Sequence, residues 1–381
     1  MRTAKLKDIT LNITDGKHGD CKNHEGSGYY FISCKDVSDE TIHYENARQI
    51  TEEDFLDADK RTNLAADDIL ITNSGTIGRM ALVKDIPETR RTTFQKSVAI
   101  VRADNSQVAP TYLYYLLKSK VHDFINSSNG SAQKNLLLST MRDFDIFYEE
   151  SFEAQHRIST ILSRYNSLIE NYQKQIKLLE EAAQRLYKEW FIDLHFPGHE
   201  STNIVDGVPE GWEKKKVGDI TPIITGKKDA NFGTPDGEYP FFTCSQEPIK
   251  APSFSFDCAA VLLAGNGDFN VKLYRGRFEA YQRTYVLSPY IDSHLYLLFY
   301  TISANMTKLA AGSSGSTIKF LTKGMIDGIN LNIPNDEILR SFNKKVEPIQ
   351  SSRESLQSQL RLLTEARDRL LPKLMSGEIT I

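Results

Sequence analysis

The side chains best suited to chemistry in this chain are cations interleaved with aromatics. Lys272, Tyr274, Arg275 and Arg277 surround Gly276, and Tyr281, Gln282 and Arg283 follow a few positions later. Cations beside aromatic rings on a glycine-marked turn suit phosphate contact, and an arginine fork can also read guanine. An ordinary solvated hairpin is the bland alternative. A matching set stands earlier in Arg79, Arg90, Arg91, Gln95 and Lys96. Gln95 and Gln282 recur at the same place next to a cation, where glutamine either pairs bidentately with adenine or makes a structural side-chain hydrogen bond. Lys17 and His18 beside Gly16, and Lys227 and Lys228 beside Gly226, are weaker candidates, because loop lysines are common. Lys134 and Lys319 rank with them.

Catalytic patterns are missing. Gly226-Lys227-Lys228 lacks both the hydroxyl residue after lysine and the earlier glycine of a phosphate-binding loop. No GxGxxG follows a strand-like run, and neither a nucleophile elbow nor HExxH occurs. Glu213-Lys214-Lys215 has nuclease-like spacing but no acidic cluster before it, and the Asn/Asp-Pro-Pro-Tyr/Phe run of adenine methyltransferases is absent. Binding is left as the expected role, with no metal site. Cys21, Cys34, Cys244 and Cys258 make no CxxC pair or His/Cys cluster. Cys34 and Cys244 fall at matching places in strand-like runs and read as buried thiols in a reducing cytoplasm.

These residues belong to a unit written twice. Lys7-Asp8-Ile9-Thr10 resembles Gly218-Asp219-Ile220-Thr221, and Tyr29 to Cys34 resembles Tyr239 to Cys244. Ile69-Leu70-Ile71-Thr72-Asn73-Ser74-Gly75 matches Val261-Leu262-Leu263-Ala264-Gly265-Asn266-Gly267, each a buried strand running into a hairpin. Phe94 to Ile100 parallels Tyr281 to Leu287. An amphipathic helix follows in each, with Tyr112 to Leu117 set against His294 to Phe299, and then Gly130-Ser131 parallels Gly312-Ser313. Strand-rich runs, a helix and a last strand describe an α/β (α+β) domain.

Each copy ends in a long apolar seam. In the first, Ile158, Leu162, Tyr165, Ile169, Tyr172, Ile176, Leu179, Ala183, Leu186 and Trp190 are spaced alternately by four and three, the pattern of a coiled coil. In the second, Phe342, Val346, Ile349, Leu356, Leu360, Leu363, Leu370 and Leu374 keep that register, interrupted by Arg353 and Arg367. A stripe of about 32 residues is roughly 48 Å long, more than a domain of this size covers. The economical partner of each helix is the other, in an intramolecular coiled coil with pseudo-two-fold symmetry. An axis along the pair would crowd two domains at one end, whereas an axis across it gives the expected antiparallel pair that holds two similar domains apart. Pro372 is expected to kink or end the second helix near Leu371, leaving Leu374 outside the regular coil. The expected segments are a domain at 1–150, a helix at 151–196, a second domain at 197–335 with its connector at 197–210, and a helix at 336–381.

Composition restricts partners. Charged residues make up 25% and hydrophobic ones 40% of the 381 residues, as in a globular protein. The longest apolar stretch, Leu295 to Ile302, falls far short of a bilayer span, and the N-terminus lacks the apolar core of a signal peptide. Net charge is −4, with residues 1–150 acidic overall and residues 201–335 close to neutral. DNA contact would therefore come from local basic patches or from a partner that supplies positive charge. The acidic balance also supports a different reading, a coiled-coil adaptor whose two α/β domains bind proteins.

The run Leu371-Pro372-Lys373-Leu374-Met375-Ser376-Gly377-Glu378-Ile379 resembles the ending of the DNA-specificity subunits of type I restriction–modification enzymes. Gly75-Thr76-Ile77-Gly78, Glu153 to Ile158 and Lys188-Glu189-Trp190-Phe191 resemble that family too, and the likeness covers nearly the whole chain. Two features depart from it. Phe147-Tyr148-Glu149-Glu150 replaces a proline-rich lead-in that Pro334 keeps in the second copy, and Gly267-Asp268-Phe269-Asn270 stands where GTIG is usual. The resemblance implies two target-recognition domains, each reading half of a split double-stranded DNA sequence, and helices that fix the unread gap. It also implies two modification (methyltransferase) subunits on the helices, restriction subunits beside them, and no catalysis in this chain. S-adenosylmethionine, for methyl transfer to adenine N6 with base flipping, and ATP and Mg for cleavage would then reside in the partners.

Overall fold

The structure is a computed structural model describing residues 1–38, 40–130, 134–313 and 319–381. It divides into two compact units, residues 1–171 with 359–381, and residues 172–358. The division falls within both long helices, not at their ends, so each unit owns a recognition-type domain and a segment of each helix. Of the Gly130-Ser131 pair, Ser131 lies outside the described residues.

In the first unit, β1 (Arg2–Lys5) leads through a short turn to β2 (Thr10–Asp15), β3 (Tyr30–Ile32), the small hairpin β4 (Val37–Ser38) and β5 (Thr41–Ile42), and β6 (Arg48–Gln49). Helix α1 (Glu52–Thr62) follows, its first turn capped by Thr51 Oγ1, which accepts from Asp54 N–H. Then come β7 (Ile69–Thr72), β8 (Met80–Leu82), β9 (Thr92–Phe94), β10 (Val98–Ala103), α2 (Pro110–Ser119), α3 (Val121–Asn126), α4 (Leu138–Arg142) and β11 (Asp145–Tyr148). The strand orders are β2-β10-β7-β8, β6-β3-β9 and β1-β11. Ile69, Leu70 and Ile71 are fully buried because β7 lies between β8 and β10 with both faces covered.

The second unit repeats this plan. A minor hairpin, β12 (Ile204–Val205) and β13 (Val208–Pro209), precedes β14 (Glu213–Lys216), α6 (Val217–Ile220), β15 (Ile223–Thr225), β16 (Tyr239–Phe242), β17 (Ile249–Ala251), β18 (Phe256–Ala264), β19 (Val271–Ala280) and β20 (Thr284–Leu287). Helices α7 (Leu295–Ala311) and α8 (Lys323–Asp327) and strand β21 (Asn330–Ile333) complete it, with strand orders β15-β20-β18-β19-β16-β17 and β14-β21. In both units the strand preceding the hairpin is antiparallel to its neighbours, while β3 runs parallel to β9 as β16 does to β19.

Backbone pairing fixes the register between the copies and corrects two sequence alignments. Thr72 pairs with Val98 as Ala264 pairs with Thr284. Gln95 N–H donates to the Ile32 carbonyl at 2.8 Å, as Tyr281 N–H does to that of Phe242 at 3.0 Å. Gln95 therefore corresponds to Tyr281, and Gln282 to Lys96, one residue away from the expected match. The helices α2 and α7 start at Pro110 and Leu295, which makes Tyr115 the counterpart of Tyr300, three residues off the expected alignment. Both tyrosines meet an amide of a long helix: Asn166 Nδ2 donates to Tyr115 Oη at 2.9 Å, and Gln350 Nε2 donates to Tyr300 Oη.

The long helices are α5 (Phe152–Tyr187), which widens into a π-helical turn at Lys188–Ile192, and α9 (Asp336–Ser376). In each unit the two helical segments run antiparallel. Asn166 meets Arg367 in the first unit, where Ile158 and Leu162 share a core with Leu371 and Leu374; in the second, Glu180 meets Arg353 and Trp190 packs on Phe342. Every seam position from Ile158 to Trp190 and from Phe342 to Leu374 is buried or half-buried. Pro372 does not end α9, and Leu374 is 1% exposed inside the first core. A second proline, Pro348, also lies within this helix. Both prolines are exposed, so the carbonyls they leave unpaired, four residues earlier, face the solvent side, while Leu371, Leu374 and Met375 anchor the last turns. No helix among the described residues is long and apolar enough to cross a membrane.

Candidate nucleic-acid interface

One end of the main sheet in each unit is built from four converging loops. β2 and β7 finish there and β10 begins, so the loops after Asp15, after Thr72 and before Val98 meet, joined by the stretch around Asn135. Lys17 bridges Gln95, Ser74 bridges Asn135, and Leu136 N–H donates to the Asn73 carbonyl at 2.8 Å. The second unit has the same joints: Lys228 bridges Tyr281, Asn266 bridges Phe320, and Leu321 N–H donates to the Gly265 carbonyl at 2.8 Å. Gly16 and Gly226 make this approach possible. A Cβ on either would lie 1.9 Å from a carbonyl oxygen, that of Phe94 or Ala280.

The basic candidates divide by whether the fold already neutralises them. The predicted turn around Gly276 is instead the middle of β19, paired along its length with β18. Arg275 lies over the Tyr296 ring, 5.0 Å from its centroid, and 3.8 Å from Glu347. Arg277 lies over Phe254 and donates to Asp257 at 3.1 Å, a bond that raises its pKa further. Lys272 is half-buried, donating to the Ser245 carbonyl at 2.7 Å and to Asn270 Oδ1; burial pushes its ammonium pKa down. In this patch each arginine already faces a carboxylate and an aromatic ring, and Lys272 is held by neutral acceptors.

The matching first set is not one patch either. Arg79 donates to the Cys34 carbonyl at 3.4 Å, and its counterpart Asn270 donates to the Cys244 carbonyl at 3.0 Å, so both fasten the hairpin to the neighbouring strand end. Arg90 sits 3.5 Å from Asp85, and Arg91 lies over the Tyr29 ring at the opposite end of β9 from Gln95. Lys17 is held by Asp57 at 3.2 Å and Asp54 at 3.6 Å, and its hydrogen bond and charge keep the Asp57 carboxyl below the usual range. His18 meets Asp15 at 3.0 Å. Cys34 and Cys244 are half-buried just beyond β3 and β16, not within them, because their segments have already turned toward the hairpin.

Open cations remain at the loop ends. Lys96 and Lys134 in the first unit, and Lys227, Arg283 and Lys319 in the second, are exposed and make no ion pair among the described residues. Lys228 rests on the Phe232 ring, 4.2 Å from its centroid. Gln282 and Arg283 line a cleft of about 490 Å³ with Thr225, Tyr285, Phe320 and Lys323. Lys323, an exposed cation without an ion pair among the described residues, was missed in the sequence. Its position four residues after Lys319, across the buried Leu321, was the available signal. Asn73 Oδ1, Ser97 Oγ and Thr284 Oγ1 at these loop ends are buried without a hydrogen-bond partner among the described residues. The same residues contain no group of three or more His, Cys, Asp or Glu able to hold a metal ion.

Two α/β units of one topology, each presenting a loop end and sharing paired long helices, define a duplicated binding protein. The chain belongs to the type I restriction modification DNA specificity domain family, whose sequence profile matches residues 2–181 and again 209–352. It is 36% identical over 177 residues to the EcoDI specificity subunit of Escherichia coli, a match covering 45% of this chain and 40% of that protein. It is 28% identical over 99% of its length to the MjaIX specificity subunit of Methanocaldococcus jannaschii, covering 93% of it. The crystal structure of a type I S subunit from M. genitalium superposes with a TM-score of 0.64 at 15% identity, covering 98% of this chain and 95% of that one, which shows the shared fold. The chain is thus a non-catalytic DNA-specificity subunit with two recognition domains, and the adaptor reading is set aside.

Proposed function

We propose that each unit's loop end binds one half of a bipartite double-stranded DNA target, with the long helices setting the unread gap between the halves. The observation that carries this reading is the repeated four-loop joint: most of its backbone bonds recur in both units, with different residues at equivalent places. Lys96 stands where Gln282 does, Gln95 where Tyr281 does, and Ser97 where Arg283 does. A shared scaffold with exchanged surface residues suits two different half-sites. The open cations supply phosphate contacts, and the unpartnered polar atoms between the loops suit water-mediated or direct hydrogen bonding.

The exposed faces of the helices carry two adenine-N6 methyltransferase subunits, with restriction subunits joining them, in the cytoplasm. S-adenosylmethionine, ATP and Mg are then cofactors of those partners. Methylation sequencing of a host that carries this subunit with its methyltransferase tests the reading. A split methyladenine motif that disappears with this gene is the expected result; a continuous motif, or one unaffected by the gene, refutes it.

A further inference from the structure

The first unit contains a half-buried charged cluster whose counterpart the second unit lacks. Between β3 and β6 the link is 15 residues long and its described residues include the β4–β5 hairpin, an insertion relative to the equivalent six-residue link 243–248, which has no such hairpin. Glu40, in the turn of the hairpin, has a left-handed backbone (φ 64°), which a glutamate adopts only when its surroundings hold it there. Its carboxylate accepts from Arg367 Nη1 at 2.6 Å, Tyr114 Oη at 3.0 Å, Asn166 Nδ2 and Lys118 Nζ. Arg367 also donates to Asn166 Oδ1 at 3.1 Å. The side chains of Arg367, Glu40 and Lys118 are 11%, 19% and 19% exposed.

The donors come from different elements: Tyr114 and Lys118 from α2, Asn166 from α5 and Arg367 from α9. One carboxylate therefore ties an insertion in the recognition domain to both long helices of its unit. In the second unit Phe299 replaces Tyr114, Ser303 replaces Lys118, and Ala183 occupies the helix position equivalent to Arg367. The arginine that interrupts the seam is thus matched to a feature of only one domain. The segment leading to Glu40 is itself fixed: Asp36 accepts from Ser33 N–H at 2.8 Å and Oγ at 2.7 Å, and the Cys34 carbonyl holds Arg79 of the loop-end hairpin. Bonds at both Cys34 and Glu40 therefore tie this link to the loop-end hairpin on one side and to the helices on the other. Desolvation offsets much of the attraction in a poorly exposed ion pair, so the value of this cluster need not lie in net stability.

We infer that Glu40 is a positioning residue, whose hairpin straps the first recognition domain to the helices and so sets where its DNA-facing loops stand, making the cluster a determinant of spacer length. This rests on the bipartite reading above. The test is competition binding by the full chain assembled with its methyltransferase, using duplexes whose gap is the native length or one base pair longer or shorter, and duplexes mismatched in either half-site.

The wild-type complex should prefer its native gap by about tenfold or more, similar to the effect of a mismatched base pair. If it shows no preference, the bipartite reading fails and this inference falls with it. Glu40→Gln should reduce the gap preference at least severalfold while leaving both half-site mismatch penalties within about twofold of wild type. The double variant Glu40→Gln with Arg367→Met, which removes a buried cation together with its partner, should behave the same way and covers the case of an unstable single variant. An unchanged gap preference in both variants would overturn the inference. So would loss of gap preference together with the first half-site's mismatch penalty, since that marks a domain that has simply come apart.

Discussion

Arg275 and Arg283 lie on the same stretch of the second unit and are equally basic, yet their surroundings give them opposite roles. Arg275 is already matched by Glu347 and the Tyr296 ring, whereas Arg283 stands at the rim of the cleft beside Lys323 with no carboxylate partner among the described residues. Arg283→Ala and Lys323→Ala should each weaken DNA binding by the assembled enzyme and lower the slope of log K against log salt by about one. Arg277→Ala should leave that slope within experimental error, since its charge is paired with Asp257. Anisotropy titrations across a salt series decide this, and a larger effect at Arg277 than at Arg283 would reverse the assignment. Gly226→Ala should cost about 1–3 kcal/mol of stability in chemical denaturation, because the new methyl would meet the Ala280 carbonyl oxygen at 1.9 Å. An unchanged midpoint would mean the loops do not meet this closely. The candidate cations were legible as residue types, but their availability was not. Lys17 is neutralised from α1, forty positions away, and Arg275 from α9, so compensation is a property of the tertiary fold that local spacing does not carry.

At the scale of elements, hydrophobic period and turn chemistry were informative and exact alignment was not. The seam could be read because every fourth or third residue must face inward along both helices, whatever surrounds them. The matched glutamines and the helix alignment were wrong by one and three residues, because apolar runs tolerate a slip in sequence comparison that hydrogen-bonded strands do not tolerate in space. Pro372 misled for a related reason. The rule that proline stops a helix assumes that the freed carbonyl is buried or that nothing else holds the turn, and neither applies where the ring faces solvent and its neighbours anchor the core. Pro348 lies further inside α9 and offers the cleaner test. With the helix already formed around it, Pro348→Ala should restore a backbone hydrogen bond and raise the thermal midpoint, against a helix-interior penalty of up to about 3 kcal/mol for proline. A lowered midpoint would show that the proline is matched to a local bend.

For the whole molecule, duplication explains both what was readable and what the modest net charge of −4 first seemed to oppose. The two copies kept the same strand neighbours, with β8 and β9 of the first standing where the single strand β19 runs in the second, while their loop ends exchanged residues. The repeat therefore stayed visible in apolar runs and turn glycines after the surfaces had diverged. DNA contact through a few unpaired loop cations does not require a basic domain, and the acidic groups that lower the total charge include the partners of Lys17, Arg277 and Arg367. The proposed role of the helices as a spacer makes a quantitative demand. Removing one heptad from the middle of each preserves the inward-facing register while shortening each helix by about 10 Å, at 1.5 Å per residue. At about 3.4 Å per base pair, the preferred gap in the DNA should shrink by about three base pairs. Methylation sequencing of a strain carrying the doubly shortened subunit reads this directly. Full methylation at the original spacing would show that the helices do not set the distance, whereas the same half-sites at the shorter gap would identify the length of the pair as the ruler.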